Sequence, residues 1–139
     1  MFKRIVAAFD GSEWSRRAMQ LAGEVARTQP GAEVWIVCAM GVVPSTMGET
    51  FADQWIADQM VTGGKLMDEA QELLGEVETV HREVLYGPPA ESIIEVAETS
   101  QCDLIVMGSR GLGALGGLLL GSQSHKVISL AKCPVLVVK

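Results

Sequence analysis

The sequence lacks several features that would assign a function directly. No apolar run approaches the roughly 18 residues of a membrane span, and no Walker A string, G-x4-G-K-S/T, occurs. The three cysteines form no C-x-x-C pair and the two histidines are far apart, so there is no zinc-binding spacing. These absences argue against membrane insertion, a P-loop NTPase and a zinc site. The cysteines each lie in or beside an apolar run, which predicts buried, reduced thiols.

Acidic residues are missing from the last quarter of the chain. All 17 lie at or before Asp103, where they outnumber seven bases and give residues 1–103 a formal charge of −10. The last 36 residues carry four bases and no acid. An acidic body argues against nucleic-acid binding. A basic segment without acids favours a small ligand that bears phosphate.

The length and composition are those of one globular domain with a core. The chain has 139 residues, of which 48% are hydrophobic and 20% charged. Residues Met1–Arg4 lead directly into an apolar run and form no signal-peptide pattern. The sequence therefore predicts a single domain over residues 1–139 and a cytoplasmic location.

Apolar runs alternate with helical patterns along the chain. This alternation predicts an α/β fold, a five-stranded parallel sheet with helices on both faces. Ligands in such folds bind beyond the carboxyl ends of the strands. The predicted strands are Ile5–Phe9, Val34–Ala39, Thr79–Leu85, Leu104–Met107 and Val135–Val138. The third alternates in polarity, as expected at a sheet edge.

Helical spacing of apolar residues fills the intervals between these runs. Ser12 is a good N-cap for the first helix, and Pro30-Gly31 follows its end. A second helical pattern covers about residues 50–77, and Gly63-Gly64 predicts a break or kink within it. The last helix is predicted over Gln123–Lys132.

The segment Gly41–Gly64 has no role that the sequence alone assigns, and it is a candidate cover for a ligand pocket. Trp55 lies within it. Core packing and a partner surface both fit this tryptophan and four methionines: Met40, Met47, Met60 and Met67.

The stretch Asp103–Ser122 organises the chain. An apolar run ends at Gly108, and Gly121-Ser122 opens the last helical pattern, which gives a strand, a glycine-rich loop and a helix. Glycines let backbone N–H groups approach a phosphate, and a helix N-terminus adds unpaired donors and a positive dipole end. The spacing from Gly108 through Gly111 to Gly121-Ser122 is G-x2-G-x9-G-S.

Two other phosphate sites fit less well. Gly111-x-Gly113-x-x-Gly116 matches the dinucleotide fingerprint, but that site needs an acid about 20 residues on, and no acid follows Asp103. FMN binding would place the phosphate loop after the first strand, where the turn carries an acid on either side of its Gly-Ser. A flexible surface loop that ends in a helix cap is the simplest alternative.

The G-x2-G-x9-G-S spacing resembles the nucleotide-binding signature of the universal stress protein family. Lys3–Glu13 is similar to the first strand and Asp-Gly-Ser turn of that family, and Cys133–Val138 to its last strand. The likeness covers essentially the whole chain. It implies a Rossmann-like, adenine nucleotide alpha hydrolase-like fold with strand order 3-2-1-4-5, and membership of the ATP-binding branch.

The resemblance also implies which residues contact the phosphates. Gly108 and Gly111 would cradle them through backbone N–H groups. Gly121 and Ser122 would bind the β- and γ-phosphates at the helix start. Three neighbours complete this end of the predicted site: Arg110, Gln123 and Ser124.

At the other end of the site, Asp10 matches the family's ribose-contacting acid, and a carboxylate accepts hydrogen bonds from a ribose diol. A turn-forming aspartate is the alternative reading. Ala39 and Met107 match positions that line the adenine pocket. Ala8 and Gln123 depart from the family, which often has proline at the first position and a small or apolar residue at the second.

The resemblance implies an ATP-binding regulatory or sensor module of the stress response, with ATP accompanied by Mg²⁺. A nucleotide-independent interaction or scaffold protein of the same fold is the alternative. No triad order, metal motif or carboxylate pair indicates a catalytic residue, so at most slow ATP hydrolysis is expected. The resemblance also implies a homodimer paired through Val135–Val138, together with an unidentified protein partner.

Overall fold

The computed structural model describes residues 1–43, 46, 48–111 and 120–139. Strands and helices alternate along them, and the third and fifth strands have the predicted bounds. In chain order the elements are β1 Arg4–Ala8, α1 Glu13–Arg27, β2 Glu33–Ala39, α2 Glu49–Leu74, β3 Thr79–Leu85, α3 Pro89–Thr99, β4 Leu104–Gly108, α4 Ser122–Leu130 and β5 Val135–Val138.

The five strands form one parallel sheet in the order β3-β2-β1-β4-β5. This confirms the predicted α/β class and the strand order that the family resemblance implied. Ile5 of β1 pairs with Val34 of β2 on one side and with Leu104 of β4 on the other. The direction of winding reverses between β1 and β4, and ligands of such sheets bind in the crevice at that point.

Helices cover both faces of the sheet. On one face α1 and α2 pack against strand residues such as Ile5 and Ile36. On the other face α3 and α4 pack against the alternating set, which includes Val6 and Val37. Because the central strands are buried on both faces, their sequences are continuous apolar runs.

Helix α1 begins at the predicted position because Ser12 caps it. The Ser12 hydroxyl oxygen accepts a hydrogen bond from the Ser15 N–H at 3.2 Å. Glu13 lies in the first turn, where its negative charge interacts favourably with the positive end of the helix dipole. The helix ends at Arg27, before Pro30. Because only residues 9–12 separate β1 from α1, the first turn of α1 lies directly beyond the carboxyl end of β1.

The predicted break at Gly63-Gly64 is wrong. Helix α2 runs without interruption over 26 residues. A Cβ on Gly63 would lie 2.8 Å from Val84 Cγ1, so this glycine lets α2 approach the edge strand β3 closely. Every fully buried residue of α2 lies at or after Gly63. Since a helix of this length spans roughly 39 Å, its first half extends past the strand ends.

The aromatic and methionine residues of this region divide between the two predicted roles. Met67 belongs to the core, whereas Met60 is 62% exposed. Met40 is partly buried against the core, and Met47 lies outside the described residues. The Trp55 ring meets Tyr86 edge-on, with ring centroids 6.2 Å apart. No helix in the described ranges, α2 included, has the length and apolar content to cross a membrane.

The two edge strands differ in polarity. Strand β3 carries His81, Arg82 and Glu83, whereas β5 reads Val-Leu-Val-Val. The guanidinium of Arg82 forms an ion pair with Asp68 at 2.7 Å. The sheet order, with β3 at one end, confirms the edge position that its alternation predicted.

The cysteines are free thiols. Cys38 and Cys102 are buried, and burial raises the pKa of both thiols to about 12. Cys133 is only half-buried, and partial burial raises the pKa of its thiol as well. The prediction of buried thiols is thus confirmed for the first two, and all three thiols are protonated near neutral pH.

The residue after the α3 C-cap, Gln101, has a left-handed backbone with φ of +53°. This conformation costs a non-glycine residue roughly 1 kcal/mol. We expect Gln101→Gly to raise the free energy of unfolding by about 0.5–1 kcal/mol in urea denaturation. Ser100→Gly is the matched control, because Ser100 has φ of −92° and gains nothing from glycine. Equal stability changes in the two variants would contradict this account.

Candidate functional site

A cavity of about 600 Å³ opens beyond the carboxyl ends of β1, β2 and β4. The residues that line it come from these strand ends, from the loop after β4 and from the first turns of α1, α3 and α4. They include all ten residues that the sequence singled out: Asp10, Ala39, Met107, Gly108, Arg110, Gly111, Gly121, Ser122, Gln123 and Ser124.

The end of β4 lies directly against the first turn of α1. A Cβ on Gly108 would lie 2.8 Å from the carbonyl carbon of Trp14 and 2.9 Å from the backbone nitrogen of Ser15. On its other side, the Gly108 carbonyl accepts a hydrogen bond from the Ser124 hydroxyl at 2.8 Å. Glycine is therefore required here by packing against backbone, and the loop starts from a fixed point.

Gly111 lies against the Asp10 carboxylate. A Cβ at this position would be 2.6 Å from Asp10 Oδ2. The other carboxylate oxygen, Oδ1, accepts a hydrogen bond from the Ser12 N–H at 2.9 Å. Asp10 therefore both forms the turn before α1, as its alternative reading proposed, and borders the cavity.

The N-terminus of α4 brings backbone N–H donors to the cavity. Gly121 is its N-cap, and the Gly121 N–H donates to the Ser109 carbonyl at 2.7 Å. The first N–H of α4 with a carbonyl one turn back is that of His125, which donates to Gly121 at 3.0 Å. The amides of Ser122, Gln123 and Ser124 precede it and lack such a carbonyl within the helix. No acid lies in this first turn, so the helix end favours an anion.

Three polar side chains near this end have defined contacts. The Arg110 guanidinium lies over the Trp14 ring, 5.7 Å from its centroid, so this cation is held at the cavity. The buried Ser124 donates its hydroxyl proton to Gly108, so it fixes the loop to the helix. Gln123 Oε1 accepts a hydrogen bond from the Ala90 N–H of α3 at 3.0 Å.

The end of the cavity at β2 is apolar, and it is lined by Val37, Ala39, Met40 and Gly41. Met107 of β4 also lines the cavity, and so do two residues of α3 that the sequence reasoning missed, Pro89 and Ile93. The turn before α3 is tied to the end of β2, because the Gly87 N–H donates to the Gly41 carbonyl at 2.8 Å. The prolines at the start of α3, which follow a strand end, were the available signal.

The described part of the site offers little for catalysis. Asp10 is the one carboxylate among the described residues that line the cavity. His125 is exposed and lies outside the lining. The described residues contain no group of three or more His, Cys, Asp or Glu placed to hold a metal. The last two glycines of the dinucleotide-like string, Gly113 and Gly116, lie outside the described residues.

A cavity at the reversal point of a parallel sheet, with a glycine-rich loop and a free helix N-terminus, defines a Rossmann-like domain with an anion-binding end. A sequence model of the universal stress protein family matches residues 1–139. A universal stress protein of Thermus aquaticus is 44% identical over 142 residues, with 100% of each chain covered. The chain therefore belongs to the universal stress protein family.

Solved structures agree with this assignment. That of the protein MJ0577 has a TM-score of 0.87 at 29% identity and covers 100% of this chain and 96% of its own. A universal stress protein in complex with cAMP has a TM-score of 0.70 at 26% identity, with 99% and 96% covered. One from Archaeoglobus fulgidus in complex with dAMP, at 22% identity with 100% and 98% covered, shares the fold with a TM-score of 0.68. Some structural neighbours thus bind nucleotides.

Two glycines provide a test of the packing at the end of β4. We expect Gly108→Ala to lower the free energy of unfolding by about 1–3 kcal/mol, because the added methyl group meets backbone atoms that cannot move independently. Gly64→Ala is the matched control, since nothing lies within 4 Å of its Cβ. It should stabilise α2 by about 0.5–1 kcal/mol. Thermal and urea unfolding measure both, and a neutral Gly108→Ala would refute the close approach.

Proposed function

We propose that this protein binds ATP with Mg²⁺ in the 600 Å³ cavity and acts as a regulatory module of the stress response. The observation that carries the proposal is the order of chemical environments along the cavity. Strand β1 lies between β2 and β4, so Asp10, which follows β1, lies between the apolar lining from β2 and the glycine-rich loop that follows β4. Base, ribose and phosphates follow the same order in a nucleotide.

The residues at the phosphate end suit several anionic groups. Backbone amides of the first turn of α4 are supplemented by the charge of Arg110, and Asp10 is the one acid in the described lining. Mg²⁺ commonly keeps water ligands and binds through nucleotide phosphates with one or two carboxylates. The lack of a cluster of metal ligands among the described residues is therefore compatible with Mg-ATP.

The apolar end suits a purine. Ala39, Met40 and Met107 offer backbone groups and apolar contact area, and Ile93 adds an apolar side chain from α3. The cAMP and dAMP complexes of structural neighbours show that this fold accepts adenine nucleotides. For this chain the family's G-x2-G-x9-G-S loop favours ATP over a monophosphate.

The proposed activity is binding rather than catalysis. The described lining holds one carboxylate and no histidine or cysteine, so it offers no acid–base pair. Occupancy would instead bias the conformation that a protein partner, not yet identified, or a second copy of the chain recognises.

Calorimetric titration of nucleotide-free protein with Mg-ATP tests the proposal, with Mg-AMP and cAMP as competing ligands. We expect Gly121→Val to abolish binding without unfolding the protein. Even a Cβ at this position would lie 3.3 Å from Arg110 Cα, and the two methyl groups would enter the space predicted for phosphates. Gly64→Ala, on the far helix α2, should bind as the parent does.

The fold of each variant is checked by circular dichroism. Binding of cAMP in preference to Mg-ATP would show that the proposed ligand, ATP, is wrong and that the site prefers a cyclic monophosphate. No binding of any nucleotide by the folded parent would refute the proposal and favour the nucleotide-independent interaction module.

We also propose that β5 pairs with its copy in a homodimer. The carbonyls of Pro134 and Val138 accept hydrogen bonds from the N–H groups of Ile105 in β4 and of Ser109 just after it, at 3.0 and 2.7 Å. Because polar groups alternate in direction along a strand, those of Val135 and Val137 point away from β4. An apolar strand with such groups tends to pair with another chain.

Val137→Pro tests the dimer, because it removes an outward N–H at an edge that tolerates proline. We expect a dimer for the parent and a folded monomer for the variant in light scattering. Val137→Thr keeps the N–H and should remain dimeric. Truncation after Pro134 should give monomer or insoluble protein, and an unchanged soluble dimer in either disrupted variant would count against this interface.

A further inference from the structure

Gln123 links the two helix N-termini that border the cavity. It lies in the first turn of α4, and its Oε1 accepts the Ala90 N–H of α3 at 3.0 Å. Ala90 is the second residue of α3, so its N–H has no carbonyl within its own helix. The N-cap of α3 is Pro88, which supplies no side-chain acceptor. Gln123 therefore caps α3 from the neighbouring helix.

A second contact lies next to the first. Lys126 is three residues after Gln123 and thus on the same face of α4, and its ammonium lies 2.9 Å from Glu91 Oε1. The pair lacks hydrogen-bond geometry, and both side chains are about half exposed. Ion pairs of this kind contribute little. The Gln123–Ala90 contact, by contrast, satisfies a backbone N–H of α3 that has no acceptor in its own helix.

The connection holds a wall of the cavity. Pro89 and Ile93, on either side of Ala90 in the chain, line the cavity from α3. On the β2 side the turn before α3 is fixed by the Gly87 N–H, which donates to Gly41. On the α4 side the corresponding fixed point is Gln123. The shared core packs α3 against α4, and the Gln123 side-chain carbonyl adds a hydrogen bond from α4 to the first turn of α3, next to the cavity.

We propose that Gln123 is a positioning residue for the ligand: its Oε1 holds the first turn of α3 at the distance from α4 that the nucleoside requires. The inference rests on the proposed nucleotide function and specifies which part of the site Gln123 serves. In this role the functional atom of Gln123 is the acceptor oxygen Oε1. The backbone of α4 binds the phosphates, and the Gln123 side chain does not contact them.

Gln123→Met tests the inference, because methionine keeps the length of the side chain and lacks the carbonyl. Amide hydrogen exchange at Ala90 is measured together with the binding of Mg-ATP and of inorganic tripolyphosphate. We expect faster exchange at Ala90, a loss of Mg-ATP affinity of about three- to tenfold, and unchanged affinity for tripolyphosphate. Gln123→Glu retains an acceptor and should restore the protection of Ala90. Lys126→Met should change the affinity for Mg-ATP less than twofold.

The outcomes separate the two proposals. Equal losses for Mg-ATP and tripolyphosphate would make Gln123 a direct phosphate ligand and overturn the inference. Unchanged exchange at Ala90 in Gln123→Met would overturn it irrespective of any ligand. Faster exchange at Ala90 with unchanged Mg-ATP affinity would reduce Gln123 to a helix cap. A parent protein that binds neither probe refutes the nucleotide function itself, and the positioning role with it, while the exchange data still decide whether the cap exists.

Discussion

The close contact between the end of β4 and the first turn of α1 is the constraint on which the cavity depends. With no Cβ on Gly108, the β4 backbone reaches van der Waals distance of Trp14 and Ser15. The loop after β4 therefore leaves the sheet beside Asp10, and Gly111 comes to lie against its carboxylate. A larger residue at either glycine would separate the loop from the β1 turn, and the cavity would lose the wall that joins its polar and apolar ends.

Much of the fold could be predicted because each buried strand is a continuous apolar run that ends at a glycine, proline or polar turn. The strand order came from the family resemblance and agrees with the structure. The failure at Gly63-Gly64 has a physical reason. A glycine inside a helix marks either a break or a close approach, and only the tertiary contact with Val84 distinguishes the two.

The candidate site was predictable to the extent that topology alone determines it. Parallel strands bring their carboxyl ends to one edge, so stretches that are far apart in sequence converge there, and the ten predicted residues do line one cavity. The contribution of α3 was missed because it depends on a tie between residues 33 positions apart, Ala90 and Gln123. Similarly, no sequence pattern places Arg110 over Trp14.

The unequal polarity of the two sheet edges has a consequence for how copies of this chain associate. The edge at β3 carries charged side chains, some of them already in ion pairs, whereas the edge at β5 is aliphatic. In the proposed homodimer, strand addition at β5 would pair identical edges about a twofold axis and leave neither β5 edge exposed. The outer edges of such a pair would both be charged β3 strands, which resist further strand addition. The alternation that marks β3 as an edge would then also oppose growth of the sheet into an open-ended fibre.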